Sequence, residues 1–253
     1  MRVMSGEEES RIEEERRRRH QARRERQRKR RKRQIIIRVV LAVSAVVLAV
    51  MGIFVFRKLS AAKEVEHVVT PEQKKYVTEA PDFQVELLEI NEYSRPGIRL
   101  EKVSGIVVHY TANPGTTAAQ NRGYFASLAE TEETYASSHF VIGISGEIIQ
   151  CVPCNEIAYA SNDRNVDTIS IECCIPDESG KFSDEAYQSL VALVSWLVGR
   201  YELQVDDVIR HYDVTGKECP KYYVEHEDAW SLFKEDVLEY IDRNGVEKTE
   251  EIN

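Results

Sequence analysis

An uncharged apolar run at residues 39–56 most constrains what this 253-residue chain can fold into. With Ile35–Ile37, this run is close in length to the helix of about 20 residues that crosses a hydrocarbon core of about 30 Å. The intervening Arg38 can extend its charge to the membrane interface. We therefore predict one transmembrane helix over residues 35–56. A cleavable signal peptide would need a shorter core and a small-residue cleavage site, for which Ser60-Ala61-Ala62 is a weak candidate.

The charge balance reverses across this run. Residues 1–38 hold 16 Lys or Arg and 7 Asp or Glu, whereas residues 57–253 hold 18 and 36. By the positive-inside rule, we expect a cytoplasmic Arg-rich tail at residues 1–34 and a single-pass protein of the cell membrane whose remaining part lies outside the cytoplasm. The basic tract could also bind nucleic acid. No aromatic residue interleaves it, however, so we favour a topology signal that contacts anionic lipid heads, and we expect no nucleic-acid partner.

The rest of the chain divides into three parts by composition. Residues 57–85 are polar and contain two prolines, which predicts an extracytoplasmic stem. Residues 86–243 have globular patterning, and about 160 residues suffice for one domain with a core. Residues 244–253 are a predicted C-terminal tail. The cytoplasmic membrane is therefore an expected partner, through the anchor.

Short apolar strands alternate with helical periodicities in the globular part. This predicts an α/β fold with a mixed central β-sheet flanked by helices. Strands are predicted at residues 106–109, 138–144, 147–152, 168–174 and 208–210, with a hairpin turn at Ser145-Gly146. One helix is predicted over residues 116–129, a second is capped by Ser183, and a third ends near Gly245.

The stretch from His211 to Cys219 carries the strongest chemical signal, because it places an imidazole, an amine and a thiol within nine residues. Gly216 and Pro220 predict a loop there. With His109 at the end of an apolar strand, the chain offers two nitrogens and one sulfur, the ligand set of a catalytic zinc site with one position open for water. Alone, His109 would more simply be a core histidine.

The five cysteines leave at least one unpaired in any intramolecular scheme. Cys151 and Cys154 have zinc-knuckle or thioredoxin spacing, but no second such pair follows. Small buried residues or a local disulfide are therefore favoured there. Cys173 and Cys174 alternate faces of a predicted strand, so at least one should be buried.

Four segments in this order resemble one known family: Val107–Ala112, Ser137–Ile142, Thr168–Glu172 and His211–Pro220. Together they are similar to the zinc-dependent N-acetylmuramoyl-L-alanine amidases, the type 2 amidases, which include phage lysozyme-type amidases and peptidoglycan recognition proteins. The resemblance covers residues 86–243. It implies a type 2 amidase fold, a Zn²⁺ cofactor and peptidoglycan or muropeptides as substrate.

The resemblance also implies roles for five residues. His109, His211 and Cys219 match the zinc ligands of the family. Glu172 matches the acidic residue that acts as general base, and Lys217 matches the lysine thought to stabilise the transition state. The implied reaction is hydrolysis of the amide between N-acetylmuramic acid and L-alanine, in cell-wall remodelling.

One position departs from the family pattern. Some members have a catalytic Tyr directly before a His-Phe pair, whereas this chain has Ser138 at that position. A route assisted by tyrosine is therefore less favoured than one in which Glu172 acts as the base. His139 is expected to have a structural or supporting role. The alternative function is a non-catalytic module that recognises peptidoglycan. Members that only recognise wall fragments usually lack the Cys ligand, so Cys219 argues for hydrolysis.

Overall fold

The computed structural model describes residues 75–247. The predicted cytoplasmic tail at 1–34, the predicted anchor at 35–56 and the first part of the predicted stem, up to residue 74, lie outside the described residues. Within residues 75–247, no helix combines the length and apolarity needed to cross a bilayer.

Eight strands and five α-helices are present in the described part of the chain. The strands are β1 (Lys75–Tyr76), β2 (Gln84–Val85), β3 (Gly105–Tyr110), β4 (Phe140–Ile142), β5 (Ile148–Gln150), β6 (Thr168–Cys173), β7 (Val208–Arg210) and β8 (Val246–Glu247). The helices are α1 (Ala118–Thr131), α2 (Asp184–Arg200), α3 (His211–Thr215), α4 (Lys221–Glu225) and α5 (Glu227–Asn244). Short 3-10 helices span Asn162–Val166 and Val205–Asp207.

Six of these strands form one mixed sheet in the order β2-β5-β4-β6-β3-β7. Strands β4 and β5 form the predicted antiparallel hairpin, with Gly146 at φ +84° in its turn. The pairs β4–β6, β6–β3 and β3–β7 are parallel. The predicted mixed α/β fold is confirmed, and its parallel half brings the carboxyl ends of β3, β6 and β7 to one edge.

The domain extends beyond residues 86–243 at both ends. Strand β2 lies in the predicted stem and pairs with β5. Strand β1 lies there too and pairs antiparallel with β8, which falls in the predicted C-terminal tail. Val77, between β1 and β2, is buried in the core. Each of these strands has only two residues, too few to show an apolar alternation in the sequence.

The sheet separates two apolar layers of different size. The larger layer contains α2, which packs on β4 of the sheet, and α5, which packs on α2, and it includes Ile106, Val108, Ile169 and Ile171. The smaller layer includes Phe125 of α1, which packs on the β4–β5 half of the sheet. Because strand residues alternate faces, Val107 and His109 of β3 point away from the α2–α5 layer.

Local capping explains where the predicted helices begin. The Ser183 hydroxyl accepts a hydrogen bond from the Ala186 amide, which confirms Ser183 as the cap of α2. Thr117 and Gln120 form a reciprocal capping box, so α1 begins at Ala118, two residues after the predicted start.

Candidate metal and catalytic site

Strands β3 and β6 place the first two site residues side by side. Their parallel register pairs His109 directly with Glu172, each the next-to-last residue of its strand. Both side chains therefore lie on the same face of the sheet, about 5 Å apart at the backbone. Ligand sites of α/β sheets form at such carboxyl ends.

His211 comes from the next strand in the sheet. Strand β7 pairs with β3 and ends at Arg210, so His211 follows at the same edge. The prediction of a loop from His211 to Cys219 is wrong in its first half, because His211–Thr215 forms α3. That helix ends at Gly216, whose φ of +77° is the left-handed conformation that glycine adopts readily.

The loop after α3 returns Cys219 to the two histidines. The Cys219 carbonyl accepts a hydrogen bond from the Tyr212 amide at 2.9 Å. The Cys219 Sγ lies 3.8 Å from His109 Nδ1, and His109 Nδ1 lies 3.2 Å from His211 Nδ1. All three residues are buried. The structure thus brings together the three ligands predicted from sequence.

These separations suit a tetrahedral metal ion. Zinc bonds of about 2.0–2.1 Å to nitrogen and 2.3 Å to sulfur require ligand separations of about 3.3 Å between nitrogens and 3.6 Å from nitrogen to sulfur. The separations of 3.2 Å between the two Nδ1 atoms and 3.8 Å from His109 Nδ1 to Cys219 Sγ are close to these values, and the third separation is within 4.8 Å. Two imidazoles and one thiol are also the donor set that zinc accepts. The residues present therefore fit the metal that the family resemblance implies.

The outer nitrogens of both histidines have partners that the sequence analysis missed. His109 Nε2 lies 3.1 Å from the Ser161 hydroxyl, and His211 Nε2 lies 3.0 Å from Asn162 Oδ1. Both partners belong to the turn before β6. A polar run before a strand was the only sequence signal for them, and such runs are common in turns.

Burial favours the neutral form of both imidazoles, which is the form that binds a metal ion. It lowers the pKa of His109 well below its usual value, and the charges of His211 and Lys217 lower that pKa further. Burial and the Lys217 charge likewise lower the pKa of His211. Burial and the Glu172 charge raise the pKa of the Cys219 thiol to about 12, an effect that a divalent cation would oppose.

Glu172 and Lys217 complete the set predicted from sequence. Glu172 is half-buried, and its Oε2 has no hydrogen-bond partner among the described residues. Burial raises the pKa of Glu172 to about 7, although the positive charge of Lys217 lowers it. Lys217 is exposed on the loop between α3 and Cys219. The structure thus places Glu172 beside His109 in the sheet, with Oε2 unpartnered among the described residues and the charge of Lys217 near enough to lower its pKa.

His139 has the structural role expected for it. Its Nδ1 accepts the Ser170 amide proton at 3.0 Å, and its Nε2 lies 2.9 Å from the Glu156 carbonyl. Both ring nitrogens are thus used within the fold. Ser138, at the position where some family members have Tyr, is buried and donates its hydroxyl to the Phe140 carbonyl.

The remaining cysteines are not part of the ligand cluster. All five cysteines are free, so the local disulfide considered for Cys151 and Cys154 is absent. Cys173 and Cys174 are both buried, one in each apolar layer, as strand alternation predicts. Cys154 lines a groove of about 810 Å³ that contains none of the predicted site residues. The chemistry, not the size of a cavity, identifies the site.

Comparisons with known proteins find the same family that the sequence resembles. A family model described as N-acetylmuramoyl-L-alanine amidase matches residues 99–222. The chain is 34% identical over 174 residues to the N-acetylmuramoyl-L-alanine amidase CwlL of Bacillus licheniformis, covering 64% of this chain and 48% of that protein. It is 30% identical over 187 residues to the amidase BlyA of Bacillus subtilis strain 168, with coverages of 66% and 49%. The chain thus spans about half the length of the curated relatives it matches.

Solved structures share the fold. The catalytic domain of XlyA matches with a TM-score of 0.52 and 26% identity, covering 62% of this chain and 99% of that domain. PlyL matches with a TM-score of 0.54 and 24% identity, covering 62% of this chain and 97% of PlyL. At that identity, the likeness to PlyL concerns the fold alone.

Proposed function

We propose that the chain, whose residues 99–222 match the N-acetylmuramoyl-L-alanine amidase family model, is a zinc-dependent peptidoglycan hydrolase. The bond cleaved is the amide between the lactyl group of N-acetylmuramic acid and L-alanine of the stem peptide. One observation carries the proposal: His109, His211 and Cys219 converge within 4.8 Å, beside the unpaired carboxylate of Glu172.

His109, His211 and Cys219 would hold the metal ion. A bound zinc ion lowers the pKa of a coordinated water from 15.7 towards about 7 and polarises a carbonyl oxygen. With three protein ligands, the ion would be able to take up water or substrate as well. The chain's own contribution is to favour the neutral form of both imidazoles and to hold their Nδ1 atoms 3.2 Å apart.

Glu172 moves the proton. Its backbone pairing with His109 keeps its carboxylate at the ligand edge, and no described side chain competes for Oε2. This oxygen takes a proton from the attacking water as the new C–O bond forms. It then gives that proton to the leaving nitrogen as the C–N bond breaks, so that a neutral amine departs.

Lys217 stabilises the oxyanion that forms on the substrate carbonyl. Its positive charge lowers the pKa values of Glu172, His211 and Cys219, which supports this role. The lysine is exposed at the edge of the site, where an incoming substrate would meet it. A donor of this kind typically contributes about 100- to 1000-fold in rate.

The proposal also includes the location of the reaction. The apolar run at residues 35–56, with the basic residues before it, supports a single membrane anchor with the catalytic domain outside the cytoplasm. Such a tether would restrict cleavage to wall close to the membrane. Protease added to intact protoplasts should remove the catalytic domain and leave the N-terminal tail protected. A tail that is digested, or a protein recovered without membranes, would contradict the anchor.

Purified muropeptides test the reaction directly. The full chain, in mild detergent, should release free stem peptide, detected by mass spectrometry, and a chelator should stop the release until zinc is restored. Release that persists without metal would overturn the zinc-dependent mechanism. If the zinc-loaded chain retains muropeptides without cleaving them, the protein is instead a recognition module.

A further inference from the structure

Two consecutive residues, Ser161 and Asn162, contact the two histidine ligands from outside. Ser161 is buried and its hydroxyl meets His109, whereas Asn162 meets His211. Both contacts are made to Nε2, the ring nitrogen that faces away from the ligand cluster. We propose that Ser161 and Asn162 are positioning residues that fix the tautomer and orientation of both rings for metal binding.

The chemistry of the contacts supports this role. A side-chain amide oxygen only accepts hydrogen bonds, so Asn162 Oδ1 requires the proton of His211 to be on Nε2. The Ser161 hydroxyl can accept the Nε2 proton of His109 in the same way. In that tautomer both Nδ1 atoms, 3.2 Å apart, carry a lone pair and are available to bind one cation.

The backbone of this turn makes the double contact possible. Successive side chains of an extended segment point in opposite directions, so two neighbours would not normally reach the same site. Asn162 has a φ of +53°, in the left-handed region, which turns the chain between the two residues. Among residues with a side chain, Asn is one that adopts this conformation most readily.

A third residue holds the turn in place. Asn165 Oδ1 accepts the amide protons of Ala160 at 3.0 Å and Ser161 at 2.6 Å. The Arg164 amide also donates to the Ser161 carbonyl at 3.0 Å. Uncommon backbone conformations persist where the surroundings fix them, and they concentrate at functional sites. The turn therefore supports His109 and His211 as one rigid unit.

This inference rests on the proposed zinc function, and zinc affinity tests it apart from catalysis. The full chain is stripped of metal and titrated with zinc against a chromophoric chelator. Ser161→Ala and Asn162→Gly should each weaken zinc binding by about 10- to 100-fold, as is typical when an outer hydrogen-bond partner of a ligand is removed. Glycine retains access to the left-handed conformation, so Asn162→Gly removes the amide without forcing the turn to rearrange.

Two comparisons separate positioning from general damage. Asn162→Asp keeps an acceptor oxygen and should retain zinc affinity close to that of the wild type. Ser195→Ala removes another buried serine hydroxyl, in α2, and should leave zinc affinity unchanged. Circular dichroism of the metal-free variants should show the wild-type fold.

The outcomes distinguish this inference from the proposed function. Wild-type zinc affinity in both Ser161→Ala and Asn162→Gly would overturn the positioning role while leaving the hydrolase intact. The same holds if Asn162→Asp binds as weakly as Asn162→Gly, or if Ser195→Ala loses as much affinity. A wild-type chain that binds no zinc would overturn the proposed function, and the positioning role with it.

Discussion

Strands β3 and β6 each carry two rows of side chains, and the two rows differ in chemistry. The row towards α2 and α5 is apolar and includes Val108 of β3 and Ile171 of β6, both fully buried. The opposite row includes His109 and Glu172, the direct neighbours of those two residues in the sequence. Adjacent positions of one strand thus serve the core and the site.

The fold thus keeps the core residues and the site residues on opposite faces of the same two strands. Apolar packing on the α2–α5 face fixes the strands, and the parallel register then fixes the spacing between His109 and Glu172. On the opposite face, α1 covers β4 and β5, which lie towards the β2 edge of the sheet and away from β3 and β7. The carboxyl ends of β3, β6 and β7 are therefore available for the site. Stability and reactivity should respond separately to substitutions in the two rows.

We expect the largest difference between an effect on activity and an effect on stability at Glu172. Glu172→Gln keeps the size of the side chain but cannot accept the proton, so turnover on muropeptides should fall by about 100- to 10,000-fold. Zinc affinity should be retained, because Glu172 is not one of the three ligands. Glu147→Gln is the matched control, since Glu147 also has a buried oxygen without a partner among the described residues. Equal losses in both variants would argue against a specific role for Glu172.

Ile171 tests the other row of the same strand. Ile171→Ala leaves a cavity beneath the sheet and should lower the free energy of unfolding by about 2–5 kcal/mol in chemical denaturation. Ile171→Val should cost about 0.5–1.5 kcal/mol. Turnover for each folded molecule should stay unchanged. Reduced turnover in the folded Ile171→Val protein would show that the two rows are coupled.

His139 is a polar, buried residue with a structural role, so it should affect stability and not catalysis. Burial lowers its pKa to about 4, whereas an unfolded chain has about 6.5. The unfolded state therefore binds more protons between these values, and stability falls as the pH is lowered from 6.5 towards 4. The loss of folding stability due to His139 reaches about 3 kcal/mol, because each unit of pKa difference corresponds to about 1.4 kcal/mol.

Denaturation at several pH values measures this effect. His139→Gln should flatten the fall in stability between pH 6.5 and 4, whereas His226→Gln, at an exposed histidine, should keep it. The two variants are compared with the wild type so that other titrating groups cancel. An unchanged slope in His139→Gln would assign the acid sensitivity to other groups.

The smallest expected effect is at the start of α2. Ser183→Ala removes the hydroxyl that accepts the Ala186 amide, and should lower the free energy of unfolding by about 0.5–2 kcal/mol. Ser183→Asp restores a capping acceptor and should recover most of that loss. Thermal melting of both variants measures the effect. A loss of zinc affinity in Ser183→Ala would contradict the separation between core helix and site.

Periodicity and turn signals predicted the main strands and the Ser183 cap, and motif order gave the five candidate site residues. Strand β7 has the predicted bounds, and β3 extends its prediction by one residue at each end. The short strands β1 and β8 were missed, because their pairing joins residues at opposite ends of the domain. The helix α3 was missed because five residues before a glycine carry no helical periodicity.

Sequence patterns alone identified the candidate site residues, because histidine, cysteine and glutamate side chains at characteristic spacings are rare enough to recognise. Tertiary structure alone decided how they meet. Parallel pairing brought His109 beside Glu172, and strand β7 delivered His211 to the same edge. The left-handed turn at Asn162 joined two polar residues to two histidines far away in the chain. Such contacts depend on backbone geometry and long-range register, which local sequence patterns do not encode.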